Sequence, residues 1–69
     1  MRNNVRESRT MRGLSQGELG SAVGVSRQTI NAIETGRFLP SLPVAFELSG
    51  FFELRIEDLF HPEPGEKNG

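Results

Sequence analysis

The sequence predicts an all-α domain of five short helices, and three observations favour that class. Branched apolar residues recur at spacings of three and four, as between Leu19 and Val23 and between Ile30 and Ile33, which keeps them on one face of a helix. Serine or asparagine precedes most of the apolar segments, at positions where such residues cap helices. No two segments alternate apolar and polar residues in the way that predicts a strand pair.

The first predicted helix is strongly cationic. Asn3 or Asn4 is expected to cap a helix over about residues 5–12, and Gly13 is expected to end it in a C-cap conformation. Four arginines lie on or beside this helix. Such a charge run is typical of an ordinary solvated surface but also of one that contacts phosphates, and both interpretations stay open at this point.

The second and third predicted helices are joined by a tight turn. Ser15, with Glu18 three residues later, forms a capping-box pattern, and Ser26 can cap the next helix. Gly24 lies between the two helices, where a short turn requires a residue that tolerates positive φ. Gly20 has no side chain, so the helices can approach closely. They are expected over residues 15–23 and about 26–35, and Gly36 is expected to follow the later one as its C-cap.

The last two predicted helices are apolar on more than one face. Ser41 is expected to cap the fourth helix, which has Pro43 in its first turn, and the fifth is expected over about residues 56–60. Their apolar residues are Leu42, Val44, Ala45, Phe46, Leu48, Phe51, Phe52, Ile56, Leu59 and Phe60. Residues 61–69 contain prolines and glycines but none of these large apolar residue types. We therefore expect one domain over residues 1–60 and a flexible polar tail over residues 61–69.

Composition argues against several classes of protein. The chain has no cysteine, and its one histidine, His61, has no second histidine or cysteine with which to share a metal ion. We therefore expect no metal ion and no cofactor. No apolar run approaches the ~20 residues of a membrane span, and the first residues lack a signal-peptide pattern, so a soluble cytoplasmic protein is expected. No motif pairs a nucleophile with a base, so an enzyme is not expected.

Charge is distributed unevenly along the chain. Residues 1–38 carry a net charge of +3, whereas residues 39–69 carry −4, although the whole chain is only −1. Affinity for nucleic acid depends on the local cationic surface and on the counterions that it displaces. The total charge therefore does not argue against a contact between the first half and phosphates.

Residues 16–35, QGELGSAVGVSRQTINAIET, have the pattern of a helix-turn-helix, in which the polar face of the second helix is left free. Together with GLSQGELG, GRFLPSL, AFELSGFF and IEDLF, this stretch closely resembles the Cro/CI-type (XRE-type) helix-turn-helix family of bacterial and phage repressors over about residues 4–60. The resemblance implies a five-helix lambda-repressor-like domain. It also implies binding to double-stranded operator DNA as a homodimer, with the third helix in the major groove.

By position, the resemblance makes Arg27 and Gln28 base-reading residues. Asn31, one turn along, could reach a base or a phosphate, and Gln16 resembles the family's phosphate-binding glutamine. The chemistry agrees, because arginine pairs bidentately with guanine and glutamine with adenine. Further contacts to the DNA backbone are implied for Ser26, Thr29, Thr35, Arg37 and Phe38. Ser26 could instead serve only as a cap, Thr29 only as a solvated helix residue, and Phe38 only as a cover of the core.

Several residues depart from the family pattern. Ser8 stands where a core leucine is usual, Gly17 where glutamate is common, Gly20 where alanine is common, and Glu53 where a glycine is expected to end the helix. Arg55 is a poor cap for the fifth helix. Ser8 is the costliest departure, since a hydroxyl loses burial and leaves a void, and a shift of Met11 toward the core is one repair.

The expected dimer surface is the end of the fourth helix together with the fifth. Its candidate residues are Phe51, Phe52, Leu54, Leu59 and Phe60, and the alternative is that all of them pack inside one subunit. The expected function is that of a transcription repressor at a near-palindromic operator. The rival is a protein-binding module, such as an antitoxin or adaptor with an unknown protein partner. Loss of activity in Arg27→Ala and Gln28→Ala would favour DNA reading, and loss on removal of residues 61–69 would favour the rival.

Overall fold

The computed structural model describes residues 1–62 and contains five helices and one pair of two-residue strands within them. The elements in chain order are β1 (Arg2–Asn3), α1 (Val5–Met11), α2 (Gln16–Val23), α3 (Arg27–Glu34), α4 (Leu42–Phe52), α5 (Ile56–Leu59) and β2 (Phe60–His61). The predicted five-helix fold is confirmed. Helix ends differ from the predicted ones by about one residue, as is usual at frayed termini.

One apolar core holds the helices together. α3 packs mainly against α2 and α1, while α4 packs against α2 and α5. The inward positions predicted for α2 and α3 are buried, and Val25 is half-buried against the same core. The buried residues are Val5, Leu19, Val23, Ile30, Ile33, Ala45, Leu48, Phe52, Leu59 and Phe60. The core therefore leaves the outer face of α3 uncovered.

The turn between α2 and α3 depends on two glycines. Gly24 has a φ of 83°, the left-handed conformation that glycine adopts without a steric penalty. A β-carbon placed on Gly20 would lie 2.5 Å from the carbonyl oxygen of Val25, so the backbone of the turn lies directly against α2. The amides of Gly24 and Val25 both donate to the carbonyl oxygen of Gly20, at 2.8 and 2.9 Å. The predicted close approach is thus present.

The short antiparallel pair formed by β1 and β2 was not expected. Arg2 pairs with His61 and Asn3 with Phe60. Two-residue strands are too short to show the alternation that identifies strands in a sequence. The expectation that the flexible tail begins at residue 61 is wrong for His61, which is paired with β1. The rest of that predicted tail, from residue 63, lies outside the described residues.

Asn4 joins the first helix to the end of the fifth. It occupies the N-cap position of α1 without forming a side-chain cap. Its side-chain nitrogen instead donates to the carbonyl oxygen of Asp58 at 3.2 Å and lies 2.9 Å from Nε2 of His61. Asn3 Oδ1 accepts a hydrogen bond from the Val5 amide at 3.1 Å. Asn3, and not Asn4, therefore supplies the side-chain acceptor at the start of α1.

Two of the departures from the family pattern have visible structural consequences. Ser8 borders a hollow of about 300 Å³, but Met11 does not turn inward to fill it, because its side chain is 87% exposed. The Arg12 guanidinium instead covers the rings of Phe51 and Phe52, at 5.2 and 5.4 Å from their centroids. The expected repair by Met11 is wrong.

Glu53 ends α4 in the left-handed conformation, with a φ of 57°. It is the only residue other than glycine with a positive φ among residues 1–62. A β-carbon is unfavourable in this conformation, which explains why glycine is expected here. Arg55, at the N-cap of α5, makes no side-chain cap, in agreement with the sequence interpretation.

Candidate nucleic-acid interface

The outer face of α3 is fixed by its cap and by its two buried isoleucines. Ser26 Oγ accepts a hydrogen bond from the Thr29 amide at 3.0 Å and begins the helix. Ile30 and Ile33 are buried against α2 and α1. Because an α-helix turns 100° per residue, the opposite face of α3 points to solvent along its whole length.

The three predicted base-reading residues lie together on that outer face. Asn31 follows Arg27 by four residues and Gln28 by three, so the three side chains are neighbours on the helix surface. Arg27 and Gln28 are exposed, and Asn31 is half-buried. Within residues 1–62 none of these side chains makes a hydrogen bond or an ion pair. Their polar groups are therefore available to an external partner.

Gly17 leaves space for the stem of Arg27. The Arg27 Cδ atom would lie 3.9 Å from a β-carbon placed on Gly17, so the arginine extends past the first turn of α2. A glutamate at this position, which the family resemblance makes common, would place a carboxylate within reach of the guanidinium. The glycine therefore keeps the Arg27 charge unpaired.

The side chain of Gln16 forms a hydrogen bond with the buried carboxylate of Glu34. Its side-chain nitrogen donates to Glu34 Oε1 at 3.0 Å. One hydrogen of an amide nitrogen is used by this bond and the other stays free, so Gln16 can still donate to a phosphate beside the N-terminus of α2. This hydrogen bond places the Gln16 side chain beside Glu34, the last residue of α3.

The other residues predicted to contact the DNA backbone differ in whether their side chains already form hydrogen bonds within the protein. Ser26 and Thr29 hydroxyls lie 2.9 Å apart and bond to each other. Thr35 Oγ1 donates to the carbonyl oxygens of Asn31 and Ala32 at 3.0 and 3.2 Å. Arg37 and Phe38 are both exposed after the C-terminus of α3, so Phe38 is not mainly a cover of the core. Arg37 is the one cation among these five residues, and it is exposed.

Sequence reasoning missed the ion pair that underlies this surface. Arg9 donates to Glu34 with Nε at 2.7 Å and with Nη2 at 3.2 Å, a bidentate pair between α1 and the end of α3. The Glu34 side chain retains 1% of its accessible area and the Arg9 side chain 12%. Arg9 Nη1 also donates to the carbonyl oxygen of Leu14 at 2.8 Å. The sequence offered one signal for this ion pair, a glutamate in a largely cationic half of the chain. The two partners are 25 residues apart, so local spacing could not identify them.

The hydrogen bonds from Arg9 to Glu34 raise the pKa of the Arg9 guanidinium, although partial burial opposes the shift. A group whose pKa is raised on folding stabilises the fold at every pH below its unfolded value. Since arginine already titrates far above neutral pH, Arg9 stays charged in any condition used to study DNA binding. The guanidinium therefore keeps its charge wherever it joins α1 to α3.

The expected dimer surface requires a correction. Phe52, Leu59 and Phe60 are buried in the core of the single subunit, because they close the gap between α4, α5 and β1. Of the five candidates, only Leu54 is exposed, and Phe51 is half-buried with its ring 5.2 Å from the Arg12 guanidinium. The end of α4 thus offers a partner far less apolar surface than its composition suggests.

Other kinds of site find little support in the described residues. Residues 1–62 contain no cluster of histidine, cysteine, aspartate or glutamate that could hold a metal ion. None of the helices in that part of the chain is long and apolar enough to cross a membrane. The exposed face of α3 remains the candidate site.

Comparison with known proteins agrees with this geometry. A family model described as helix-turn-helix matches residues 5–59. An uncharacterised HTH-type transcriptional regulator of Methanocaldococcus jannaschii is 46% identical over 66 residues, covering 96% of this chain and all of the relative. The regulator YgzD of Bacillus subtilis, also uncharacterised, is 47% identical over 60 residues, covering 87% of this chain and 91% of YgzD. The solution structure of the LexA repressor from Eubacterium rectale has a TM-score of 0.78 at 23% identity, covering 96% of this chain and 70% of the LexA chain. At this identity, the similarity to the LexA structure shows a shared fold alone.

Proposed function

We propose an operator-binding role for this chain, which belongs to the XRE-type helix-turn-helix family of DNA-binding transcriptional regulators and not to a family of enzymes. In this role α3 lies in the major groove of double-stranded DNA, and the bound protein represses a promoter that overlaps its operator. The proposed place of action is the cytoplasm, at the nucleoid.

The observation that carries the proposal is the set of three unpaired polar side chains on one face of α3. Arg27 and Gln28 stand at the start of the helix, with their hydrogen-bonding groups unused within residues 1–62. Arginine recognises guanine through O6 and N7, and glutamine recognises adenine through N6 and N7. Asn31, one turn along, adds a base or phosphate contact.

Contacts to phosphates would hold the helix in register on the duplex. The candidates are Gln16 at the N-terminus of α2 and Arg37 after α3, with Ser26, Thr29, Thr35 and Phe38 as further candidates. Such contacts carry little sequence information, but they supply much of the affinity and make it dependent on salt. Binding should therefore weaken steeply as salt concentration rises.

A homodimer completes the proposal. Two copies of α3 about 34 Å apart would read successive major grooves, so the operator would be a near-palindrome. A monomer of this family would bind only one half-site, with half of the base contacts.

The test is selection of random duplex DNA on the purified protein at moderate salt, followed by sequencing of the retained pool. We expect a palindrome with half-sites about one helical turn apart. An unenriched pool would contradict operator binding and favour a protein-binding module such as an antitoxin, for which the net charge of −4 on residues 39–69 is the supporting observation.

Two variants then assign the contact. Arg27→Ala should weaken binding to the selected operator by about 1–3 kcal/mol per half-site and relax the preference at one guanine. Arg55→Ala is the matched control, because Arg55 has the same charge and a side chain that is 75% exposed, but lies at the start of α5. Equal losses in the two variants would show that only general electrostatic attraction is being measured.

A further inference from the structure

The arginines of α1 and its C-cap differ in how far the fold already uses them. Arg9 donates two hydrogen bonds to Glu34, and its side chain is only 12% exposed. Arg12 donates to the carbonyl oxygen of Phe51 at 3.0 Å and covers aromatic rings. Arg6, in contrast, makes no hydrogen bond within residues 1–62, and its side chain is 66% exposed. Its N–H groups are therefore available to an external anion.

Arg6 lies beside Glu34 without a close pairing. Its Nε atom is 3.8 Å from Glu34 Oε1, which is beyond hydrogen-bond distance. Arg9, three residues further along the same side of α1, takes the short bonds to this carboxylate at 2.7 and 3.2 Å. An ion pair with a largely exposed partner contributes little to stability. Because Arg9 already compensates the negative charge of Glu34, Arg6 leaves this cluster with a net positive charge.

Gln16 meets the same carboxylate oxygen. Its side-chain nitrogen donates to Glu34 Oε1 at 3.0 Å, and this is the oxygen that Arg6 approaches. The polar ends of Arg6 and Gln16 are therefore neighbours, although they belong to α1 and α2. A carboxylate only accepts hydrogen bonds, so Glu34 determines that the nitrogen of the Gln16 amide faces it. The second hydrogen of that nitrogen has no partner within residues 1–62. Two donors, one of them charged, thus lie side by side.

From this shared oxygen, we infer that Arg6 and Gln16 together bind one phosphate of the operator backbone, and that Glu34 is their positioning residue. A phosphodiester is an anion that accepts hydrogen bonds, so it matches a guanidinium beside an amide. The Glu34 side chain is only 1% exposed, so the phosphate would meet the two donors and not the carboxylate. Val5, which is buried, anchors the turn of α1 that carries Arg6. Arg6 adds a charged contact to the one proposed for Gln16, and the inference rests on the proposed function.

The test maps phosphate contacts on the selected operator with Arg6→Gln, Gln16→Ala and Arg55→Gln. Each phosphate of a half-site is replaced in turn by a neutral methylphosphonate, and fluorescence anisotropy gives the dissociation constant of each duplex. Arg55→Gln is the matched control, because it removes the same charge from a side chain that is 75% exposed at the start of α5. The unmodified chain and the control should bind about tenfold more weakly when the shared phosphate is neutralised. Arg6→Gln and Gln16→Ala should both lose sensitivity at that same phosphate.

Salt dependence separates a charged contact from a structural role. Arg6→Gln should lower the slope of the logarithm of affinity against the logarithm of salt concentration by about 0.9 per bound subunit. Arg6→Lys, which keeps the charge, should retain the slope. The loss of affinity in Arg6→Gln should be equal for all sequences, because a phosphate contact carries no base preference. Thermal melts followed by circular dichroism confirm that each variant is folded.

The outcomes separate this inference from the function on which it rests. An unchanged salt slope or an unchanged methylphosphonate pattern in Arg6→Gln would each overturn the inference, as would lost sensitivity at a phosphate other than that of Gln16. A chain that binds duplex DNA without enriching any sequence would overturn operator binding, and the salt slope on a random duplex would still decide whether Arg6 contacts a phosphate. A chain that binds no duplex would overturn both.

Discussion

Gly17→Glu tests whether the Arg27 guanidinium must stay unpaired in order to read a base. A β-carbon at Gly17 meets no atom closer than 3.9 Å, so a side chain can begin at this position without strain. Replacing a helical glycine by glutamate gains roughly 0.5–1 kcal/mol of helix propensity, and a carboxylate in the first turn of α2 adds about 0.3–1 kcal/mol. Thermal stability should therefore rise, by about 4–8 °C for each 1 kcal/mol gained.

DNA binding should change in the opposite direction. If the new carboxylate pairs with Arg27, the bidentate contact to guanine is lost, at a cost of about 1–3 kcal/mol per half-site. Fluorescence anisotropy with the selected operator and with duplexes changed at that guanine measures both affinity and preference. Preference for the guanine should fall together with affinity, because Arg27 is the residue that reads it.

Gly17→Gln is the control, since it adds similar bulk and helix propensity without a charge. It should bind nearly as tightly as the unmodified chain. Equal weakening by both variants would mean that bulk at the start of α2 blocks the DNA. A Gly17→Glu variant that loses affinity equally for all sequences would refute the reasoning, because general repulsion of phosphates would then explain the loss.

Two further substitutions test the stability of the scaffold. Glu53→Gly should stabilise the fold by about 1 kcal/mol, because glycine adopts the left-handed conformation at the end of α4 without the β-carbon penalty; an unchanged or lower melting temperature would contradict that account. Arg9→Met should destabilise it by up to about 3–5 kcal/mol in urea denaturation, since the buried Glu34 would lose its bidentate partner and keep only the hydrogen bond from Gln16 and the Arg6 guanidinium 3.8 Å away. Arg9→Met combined with Glu34→Met should recover most of the loss. Because folding raises the pKa of Arg9, the contribution of this guanidinium to stability is fully present below its unfolded pKa and is lost only as the pH rises through the higher folded value. Arg9 should therefore cause no step in stability between about pH 6 and pH 9.

Local signals in the sequence were sufficient to predict the helices. A capping box, two further serine caps and a glycine turn each act within about four residues, so their geometry follows from the residues themselves. The same is true of the outer face of α3, because the spacing of Ile30 and Ile33 determines which side of the helix is buried. The placement of Arg27, Gln28 and Asn31 together is a consequence of that periodicity.

Features formed between distant residues could not be predicted in this way. The pairing of Arg2 with His61 joins opposite ends of the described chain, and nothing in either segment alone identifies it. The burial of Phe52 and Phe60, but not of Phe46, depends on how α4 is rotated against α2 and α5. Composition showed that the second half of the chain has more apolar residues than a small core needs, but it could not show which of them are left outside.

A substitution at Glu34 would change the affinity for DNA and the stability of the fold together, because this residue takes part in both. Its carboxylate accepts from Arg9 on α1 and from Gln16 at the start of α2, while its own backbone belongs to α3. The group that links three helices therefore also orients the side chain proposed to contact a phosphate. A substitution at Glu34 is expected to weaken DNA binding even if the carboxylate never approaches the DNA, because α2 and α3, which carry the proposed contacts, would lose a shared hydrogen-bond partner. Arg27, which is exposed and has no partner within residues 1–62, is free of this coupling. Loss of binding on its substitution therefore reports on recognition, whereas a loss on substitution of Glu34 first requires a measurement of stability.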